Sequence, residues 1–540
     1  KLCFAGGDVS WEDVIAIFLD PGYSLAAGSH YWFRIILAVL STLVFSALLI
    51  SVFTNIFDNI SDSVQNGGRR YPLKGHVLVI GQGGSVPAVV QALLDKGKTV
   101  VVLSEINPEF GNEVYYYHGN QTDQDDIISA RPEEAGCIYL LGDASNPNHD
   151  ALNLKTLSIL RKAVPANGRK IPFFLSITKQ EVKEVFQYMK NASESDDCSS
   201  GLQVNVIDEL EYYAEQLLTA TDFLPVIRQA DDKAAHFVIF GSGQMAVSTA
   251  VELAHICHYP SFTAFGRRTV ITMIDPDISE CHQTMLAAHP TLFEMSRHSF
   301  ISGSGVRTEH VPVPENDFLD IEWEFVEAGH NASIPREMIE SSAKDESTEL
   351  RILVCIEDPH KAVKCVLHLP EAARGTSRTA LYINDSDDII QLALSTGMYG
   401  DITVFGLANK SITDPLMENR LKLGQRVNFI YNKAYVNPPA SSPEEAWYPI
   451  SEADKCSSIF CACALPLRKK CYDIEVEQLS VYEAEHRRWM MSALLMGYKP
   501  GPVKDKKRFI HPDIVPFGSL SEDEKNKDKI LIDAIDYILG

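Results

Sequence analysis

Two glycine-rich stretches carry the residues best suited to bind a ligand. Each follows a short apolar run: Gly81, Gly83 and Gly84 come after HVLVI, and Gly241, Gly243 and Ala246 come after HFVIF. Small residues at this spacing permit a tight turn and let a phosphate approach the N-terminus of the next helix. The sequence therefore predicts two similar anion-binding turns.

An acidic residue ends the apolar run that follows each stretch. TVVVLSE ends at Glu105 and TVITMID ends at Asp275. A carboxylate at this position can accept hydrogen bonds from ribose hydroxyls, which predicts NAD or another nucleotide as the ligand. Because carboxylate oxygens also suit calcium, calcium stays open as a second ligand at these residues and at Asp143. The sequence identifies no specific metal site.

Further apolar runs surround both turns and must position them. The first half contains CIYLLGD, IPFFLSI and LQVNVID, and the second contains ILVCIED, ALYIND and ITVFGL. Strands that alternate with helical stretches are typical of doubly wound parallel sheets. We therefore predict an α/β fold with two Rossmann-like domains, residues 74–230 and 234–432, that arose by internal duplication.

A long apolar segment precedes these domains. Residues Ile35–Phe57 contain no charge, and their length suits one helical crossing of a bilayer. Acidic residues lie before the segment, whereas Arg69, Arg70 and Lys74 follow it. The positive-inside rule therefore predicts a transmembrane helix in the plasma (inner) membrane, with the chain beyond residue 60 in the cytoplasm.

The residues before this helix could contribute to an ion path. Trp11–Leu19 predicts a helix too short to cross a bilayer, and a turn follows it. This order is that expected of a re-entrant pore loop within residues 1–65, and an extracellular amphipathic helix is the alternative. The turn contains the candidate pore residues Asp20, Gly22, Tyr23 and Ser24.

Composition excludes several functions. The 540-residue chain has a formal net charge of −24, which argues against a nucleic-acid binder. Its 11 cysteines are odd in number and irregularly spaced, which favours reduced thiols over a disulfide framework or a zinc site. No nucleophile with an adjacent base is evident, so we do not expect an enzyme.

The last hundred residues depart from the alternation of strands and helices. Residues 433–477 are rich in proline, serine and acidic side chains and predict a connector. Residues 478–540 predict a small helical domain packed around Trp489, and Ser521 with Glu524 forms a capping box.

The order of these segments resembles potassium-type channels with regulator-of-conductance (RCK) domains, which are related to the TrkA N-terminal domain family. The tandem arrangement looks most like bacterial relatives of the Castor and Pollux channels. The tail resembles the ryanodine-receptor repeat (RyR) domain through Glu485, His486, Trp489 and His511. One departure is that Asp20-Pro21-Gly22-Tyr23-Ser24 stands where a potassium filter would read T-V-G-Y-G.

The resemblance implies a homotetramer in membrane lipid whose eight RCK domains form a cytoplasmic ring. A small molecule or ion would gate the pore for a monovalent cation, with potassium as the expected ion. Two alternatives remain from the sequence. One is a membrane-tethered, NAD-binding regulatory subunit of an ion transporter, and the other is an NAD-dependent oxidoreductase.

Overall fold

A computed structural model describes most of the chain. The described residues are 15–16, 31–68, 70–107, 110, 113–166, 169–179, 182–183, 185–186, 200–374, 378–383, 402–406 and 418–540. The four candidate pore residues lie outside the described residues, as does Arg69. Of the predicted short helix before the span, Ile15 and Ala16 are described and are helical.

The first long helix is apolar and exposed. Helix α1 spans Tyr31–Gln65. Its window Ala38–Phe57 has a mean hydropathy of 2.0, and 6% of that window is buried within the chain. In the described residues this is the one helix long and apolar enough to cross a membrane. Large side chains such as Leu43, Ile50 and Phe57 face outward along its length.

The first half forms a six-stranded parallel sheet in the order β3-β2-β1-β4-β5-β6. Its strands are β1 Val77–Gly81, β2 Val100–Ser104, β3 Tyr115–His118, β4 Cys137–Gly142, β5 Ile171–Ser176 and β6 Leu202–Ile207. Its helices are α2 Ser85–Asp95, α3 Gln124–Ser129, α4 His149–Ala163 and α5 Glu209–Ala220. This strand order is that of a Rossmann fold, as predicted. Because β1 is buried on both faces, its sequence is continuously apolar.

The second half repeats this order and adds a hairpin. Its strands are β7 Ala234–Phe240, β8 Thr269–Asp275, β9 His298–Ile301, β10 Arg307–His310, β11 Ile321–Glu327, β12 Thr348–Val354, β13 Arg378–Tyr382 and β14 Ile402–Phe405. They lie in the order β10-β9-β11-β8-β7-β12-β13-β14, and β10 alone is antiparallel to its neighbour. The sequence reasoning did not identify β9, β10 or β11.

The helices of the second half include the one that follows its glycine turn. They are α6 Gln244–Ile256, α7 Pro260–Phe265, α8 Ile278–Ala288, α9 Pro290–Met295, α10 Ser333–Lys344, α11 Pro359–Leu367 and α12 Glu371–Arg374. Helix α5 of the first half packs directly against α6, and one hydrophobic core continues from the first half into the second.

The C-terminal region is helical and packs on this junction. Its helices are α13 Glu418–Tyr435, α14 Pro443–Trp447, α15 Glu452–Cys471, α16 Gln478–Leu495, α17 Glu522–Asp533 and α18 Ile535–Leu539. Two short strands, β15 Lys499–Pro500 and β16 Ile510–His511, pair in the tail. The segment predicted as a connector therefore contains a 20-residue helix, α15, with most of its side chains buried. Proline and serine are abundant there because they cap and begin short helices.

Candidate ligand site at the junction of the halves

Both predicted turns need glycine at their first position. Gly81 has φ +140° and Gly241 has φ +121°. A Cβ on Gly81 would lie 2.4 Å from the Gly142 nitrogen, and one on Gly241 would lie 2.7 Å from the Cys355 carbonyl oxygen. No other residue type fits there without movement of the neighbouring strand.

The donors of the first turn are already used within the chain. The N–H groups of Gln82 and Gly83 both donate to the Gly142 carbonyl, at 2.9 and 2.8 Å. The Ser85 hydroxyl, at the start of α2, donates to Glu209 Oε1 at 2.8 Å. Burial raises the pKa of Glu209 to about 7. The carboxyl group of Glu209 therefore lies beside the start of α2, where a phosphate was predicted. Gly84 is the N-cap residue of that helix.

The second turn differs because its donors are open to a cavity. In the described part of the chain, the N–H groups of Ser242 and Gly243 donate to no acceptor. Both residues line a cavity of about 370 Å³. Ala246 is completely buried on the core side of α6, which lets the helix pack closely on the sheet. Of the two predicted turns, the second is the one whose backbone donors remain open to a ligand.

Asp275 lies at the carboxyl end of β8 beside this turn. Its oxygens accept hydrogen bonds from the Asp277 N–H at 2.9 Å and from His330 Nε2 at 3.2 Å. Burial alone would raise the pKa of Asp275, but these bonds and one from Ser242 lower it below the ordinary value. Asp275 is therefore ionised at neutral pH and can accept further hydrogen bonds, such as those of a ribose. Asp277 lines the cavity itself.

The cavity is closed on its other side by the first half. Thr178, Lys183, Asp208 and Glu211 line it opposite α6 and α8. A ligand at the second turn would therefore contact both halves at once. Sequence reasoning missed these residues, although Asp208 follows a strand in the same manner as Glu105 and could have been found by the same rule.

A buried charge cluster forms the boundary of this cavity. Lys183 Nζ pairs with Asp208 and lies 3.0 Å from Glu211 Oε2. Arg420 of α13 pairs with both Glu211 and Glu215. Burial alone would raise the pKa of Glu211, but Lys183 and Arg420 lower it to about 2. The cluster thus connects the first half to the C-terminal helices through the pair of Arg420 with the ionised Glu211.

The acidic candidates of the first half make local contacts. Glu105 Oε1 accepts a hydrogen bond from Asn120 Nδ2 at 2.6 Å. Asp143 Oδ1 accepts from the Ser145 N–H at 3.0 Å and from its hydroxyl at 2.6 Å. Among the residues described, no group of three or more histidine, cysteine, aspartate or glutamate side chains is arranged to hold a metal ion. The calcium prediction therefore has no supporting cluster in that part of the chain.

The linker after α1 is attached to the edge of the first sheet. Arg70 donates from Nε to the Ser129 hydroxyl at 2.8 Å and from Nη2 to the His118 carbonyl at 2.8 Å. Its guanidinium also lies 4.6 Å from the centre of the Tyr117 ring. The Tyr71 N–H donates to the Tyr117 hydroxyl at 2.8 Å. Movement of the β3 edge would therefore be transmitted to the residues that follow α1.

The RyR-type candidates divide between the core and a second cavity. Glu485 is completely buried, and its Oε1 accepts from Arg488 Nε at 2.7 Å. His486, Trp489 and His511 line a cavity of about 300 Å³ between the tail and α15. The Trp489 and His486 rings stack with centres 5.6 Å apart. Glu485 therefore supports the fold, whereas the three aromatic residues are accessible from this cavity.

The clustered cysteines share one helix. Cys456, Cys461, Cys463 and Cys471 all lie on α15 as thiols. Burial raises the pKa of each of them, to about 12 for Cys456 and about 11 for Cys471. They are protonated at neutral pH and contribute to packing, in agreement with the prediction of reduced thiols.

Comparisons with known proteins found solved structures of low similarity to this chain. No family model matches the chain, and no curated protein matches it. A solved structure of GsuK bound to ADP is 14% identical over 73% of this chain and 84% of that one, with a TM-score of 0.39. The GsuK channel bound to NAD is 12% identical over 73% of this chain and 74% of that one, with the same TM-score of 0.39. The human SLO3 gating ring is 11% identical over 63% of this chain and 82% of that one, with a TM-score of 0.37.

Proposed function

We propose that the chain is the pore-proximal and regulatory part of a ligand-gated cation channel. The observation that carries the proposal is the second glycine turn, whose free N–H groups line a cavity shared by both halves. A ligand bound there would favour one relative arrangement of the halves over another. A difference in affinity between two arrangements is the requirement for ligand gating.

The ligand is a nucleotide in this proposal, and NAD is the first candidate. The Ser242 and Gly243 N–H groups would bind a phosphate at the start of α6, and Asp275 would accept from a ribose hydroxyl. The first half would remain unliganded at its turn, because Gly142 and Glu209 already satisfy the donors there. Calcium and ATP are the alternative ligands to test.

The apolar helix α1 would cross the plasma (inner) membrane and line the pore, with the two halves in the cytoplasm. Its exposed apolar side chains need a lipid or protein partner, and Arg70 attaches its end to the first sheet. Four copies would enclose the pore, since one helix cannot. Asp20, Gly22, Tyr23 and Ser24 would form the ion path for a monovalent cation, with potassium the expected ion. The proposal assigns no enzymatic reaction to the chain.

Ion flux from liposomes tests the proposal. The full chain would be reconstituted and assayed in potassium and then in sodium, with and without NAD, ATP and calcium. We expect ligand-dependent flux that a Gly22→Trp substitution abolishes. Absence of flux from a folded tetramer under every condition would contradict the proposal.

A tethered regulatory subunit is the second candidate. The open N–H groups of the second turn would bind NAD in such a subunit as well. In that case the purified chain would bind NAD but conduct no ions alone. Restoration of flux only after a separate transporter is added would favour this candidate. An NAD-dependent oxidoreductase would instead change nicotinamide absorbance with a substrate.

A further inference from the structure

Buried carboxylates outnumber cations where the two halves meet. Glu252 of α6 has no exposed surface and faces the first half. The carboxylates around it are Asp208, Glu211 and Glu215, and the cations are Lys183 and Arg420. Four carboxylates therefore share two cations, which leaves a surplus of two negative charges if all are ionised.

The two cations, Lys183 and Arg420, form ion pairs with the other three carboxylates. Lys183 pairs with Asp208 and Glu211, while Arg420 pairs with Glu211 and Glu215. The nearest hydrogen-bonding group to Glu252 is His255 Nδ1, 3.3 Å from Oε1. Its second oxygen, Oε2, has no hydrogen-bond partner among the described residues, and Glu252 lines the cavity of the candidate site.

The two neighbouring histidines supply no positive charge, and Arg488 of α16, which acts on His255, pairs with Glu485. Burial lowers the pKa of His255 to about 3 and that of His289 to about 4, so both rings are neutral at physiological pH. The thiol of Cys463, on α15, faces Glu215, and Cys456 lies on the same helix. Burial raises the pKa of both thiols, so they remain protonated. An ionised Glu252 would therefore stand unpaired beside Glu211.

We propose that Glu252 holds a proton at neutral pH and that this proton makes the packing of the two halves and α13 dependent on pH. Burial, followed by the negative charge of Glu211, raises the pKa of Glu252 well above its ordinary value. When the junction opens, Glu252 enters water and its pKa returns to about 4.3. Opening therefore releases the Glu252 proton and becomes easier as pH rises from that value towards the raised pKa. Burial also raises the pKa of Glu215, to about 7, so Glu215 contributes a second proton only below that pH.

The packed junction is therefore more stable at mildly acidic pH than at mildly alkaline pH. One released proton changes the opening equilibrium constant by about tenfold per pH unit within that window. The same proton would influence any ligand in the adjoining cavity, but the pH dependence itself requires neither a ligand nor a pore. The inference therefore stands apart from the proposed function.

Hydrogen exchange on the full chain in detergent micelles tests this proposal. Peptides from α5, α6 and α13 would be compared at about pH 6.5 and 8.5, after correction for the intrinsic exchange rates. We expect exchange through opening of the junction to rise by about tenfold per pH unit in the unsubstituted protein. Glu252→Gln mimics the protonated side chain, so the variant should fold and lose most of that rise.

The matched control is Glu337→Gln, which removes an exposed carboxylate from α10 and should leave the rise unchanged. An equal pH dependence in Glu252→Gln would overturn the proposal, as would failure of that variant to fold. A third outcome would also overturn the proposal: calcium slows hydrogen exchange of the unsubstituted protein at the higher pH. A bound metal ion, and not a proton, would then neutralise the surplus negative charge.

Discussion

At the scale of single residues, the two glycine turns differ although their sequences are alike. Gln82 and Gly83 direct their N–H groups to the Gly142 carbonyl, whereas Ser242 and Gly243 leave theirs open to a cavity. The difference comes from hydrogen bonds to another strand. Only donors without an internal acceptor can contribute net binding energy to a phosphate.

Gly243→Val should weaken nucleotide binding. A Cβ at this position would lie 2.5 Å from Glu357 Oε1, and the larger valine would also obstruct the approach of a phosphate to the N–H groups. We expect the dissociation constant for NAD to rise at least about tenfold, which is about 1.4 kcal/mol. Isothermal titration calorimetry on the full chain measures it.

Gly518→Val is the control for this experiment, because a Cβ there would meet no atom within 4 Å. Equal affinity in Gly243→Val and the unsubstituted protein would contradict the assignment of the second turn as the ligand site.

Glu209→Gln should stabilise the chain in mild alkali. The folded-state pKa of about 7 is raised by burial above the ordinary 4.5. Ionisation therefore costs stability progressively as pH rises from about 4.5 to 7, and the amide avoids that cost. We expect a gain of about 1–3 kcal/mol at pH 8 and little change near pH 5, measured by urea denaturation. A gain of the same size at both pH values would show that ionisation is not responsible.

At the scale of elements, the linker between α1 and β1 is attached to the β3 edge by specific contacts. Arg70 donates hydrogen bonds to the Ser129 hydroxyl and the His118 carbonyl, and the Tyr71 N–H donates to the Tyr117 hydroxyl. None of these residues lines the cavity at the second turn. The linker can therefore be weakened without changing the ligand site.

Arg70→Ala should separate binding from gating. The variant should bind NAD with unchanged affinity and lose most of the ligand-dependent flux, because movement of the first sheet would no longer reach α1. Calorimetry and the liposome assay measure the two quantities. Lys74→Ala removes a nearby exposed charge and serves as the control. Loss of both NAD binding and ion flux in Arg70→Ala would contradict the proposal that Arg70 only links the first sheet to α1.

At the scale of the whole molecule, the halves are joined more closely than their repeated sequence suggests. Helices α5 and α6 pack against each other, and α15 and α16 both cover α6. Arg468 of α15 donates to the His258 carbonyl at 2.8 Å, and Arg487 Nε lies 3.1 Å from Asp320 Oδ2. The C-terminal helices are therefore bound to the second half, so a ligand in the tail cavity would act on the junction through them.

Much of the architecture was determined by the sequence alone. The apolar runs predicted β1, β2, β4 to β8 and β12 to β14 within a few residues, since strand burial on both faces produces a continuous apolar signal. The N-cap at Ser521 was also confirmed, because the Glu524 N–H donates to the Ser521 hydroxyl at 3.3 Å. The Glu524 carboxylate pairs with Lys527. Such signals are local, because each depends on residues within a few positions of one another.

The tertiary structure alone decided which turn is open and what surrounds it. Lys183, Glu252 and Arg420 are separated by dozens to hundreds of positions, and nothing in their immediate neighbours indicates that they meet. Strands β9, β10 and β11 were missed, because polar residues interrupt the apolar pattern of each strand. Side-chain pairing and burial depend on distance in space, which a one-dimensional pattern does not encode.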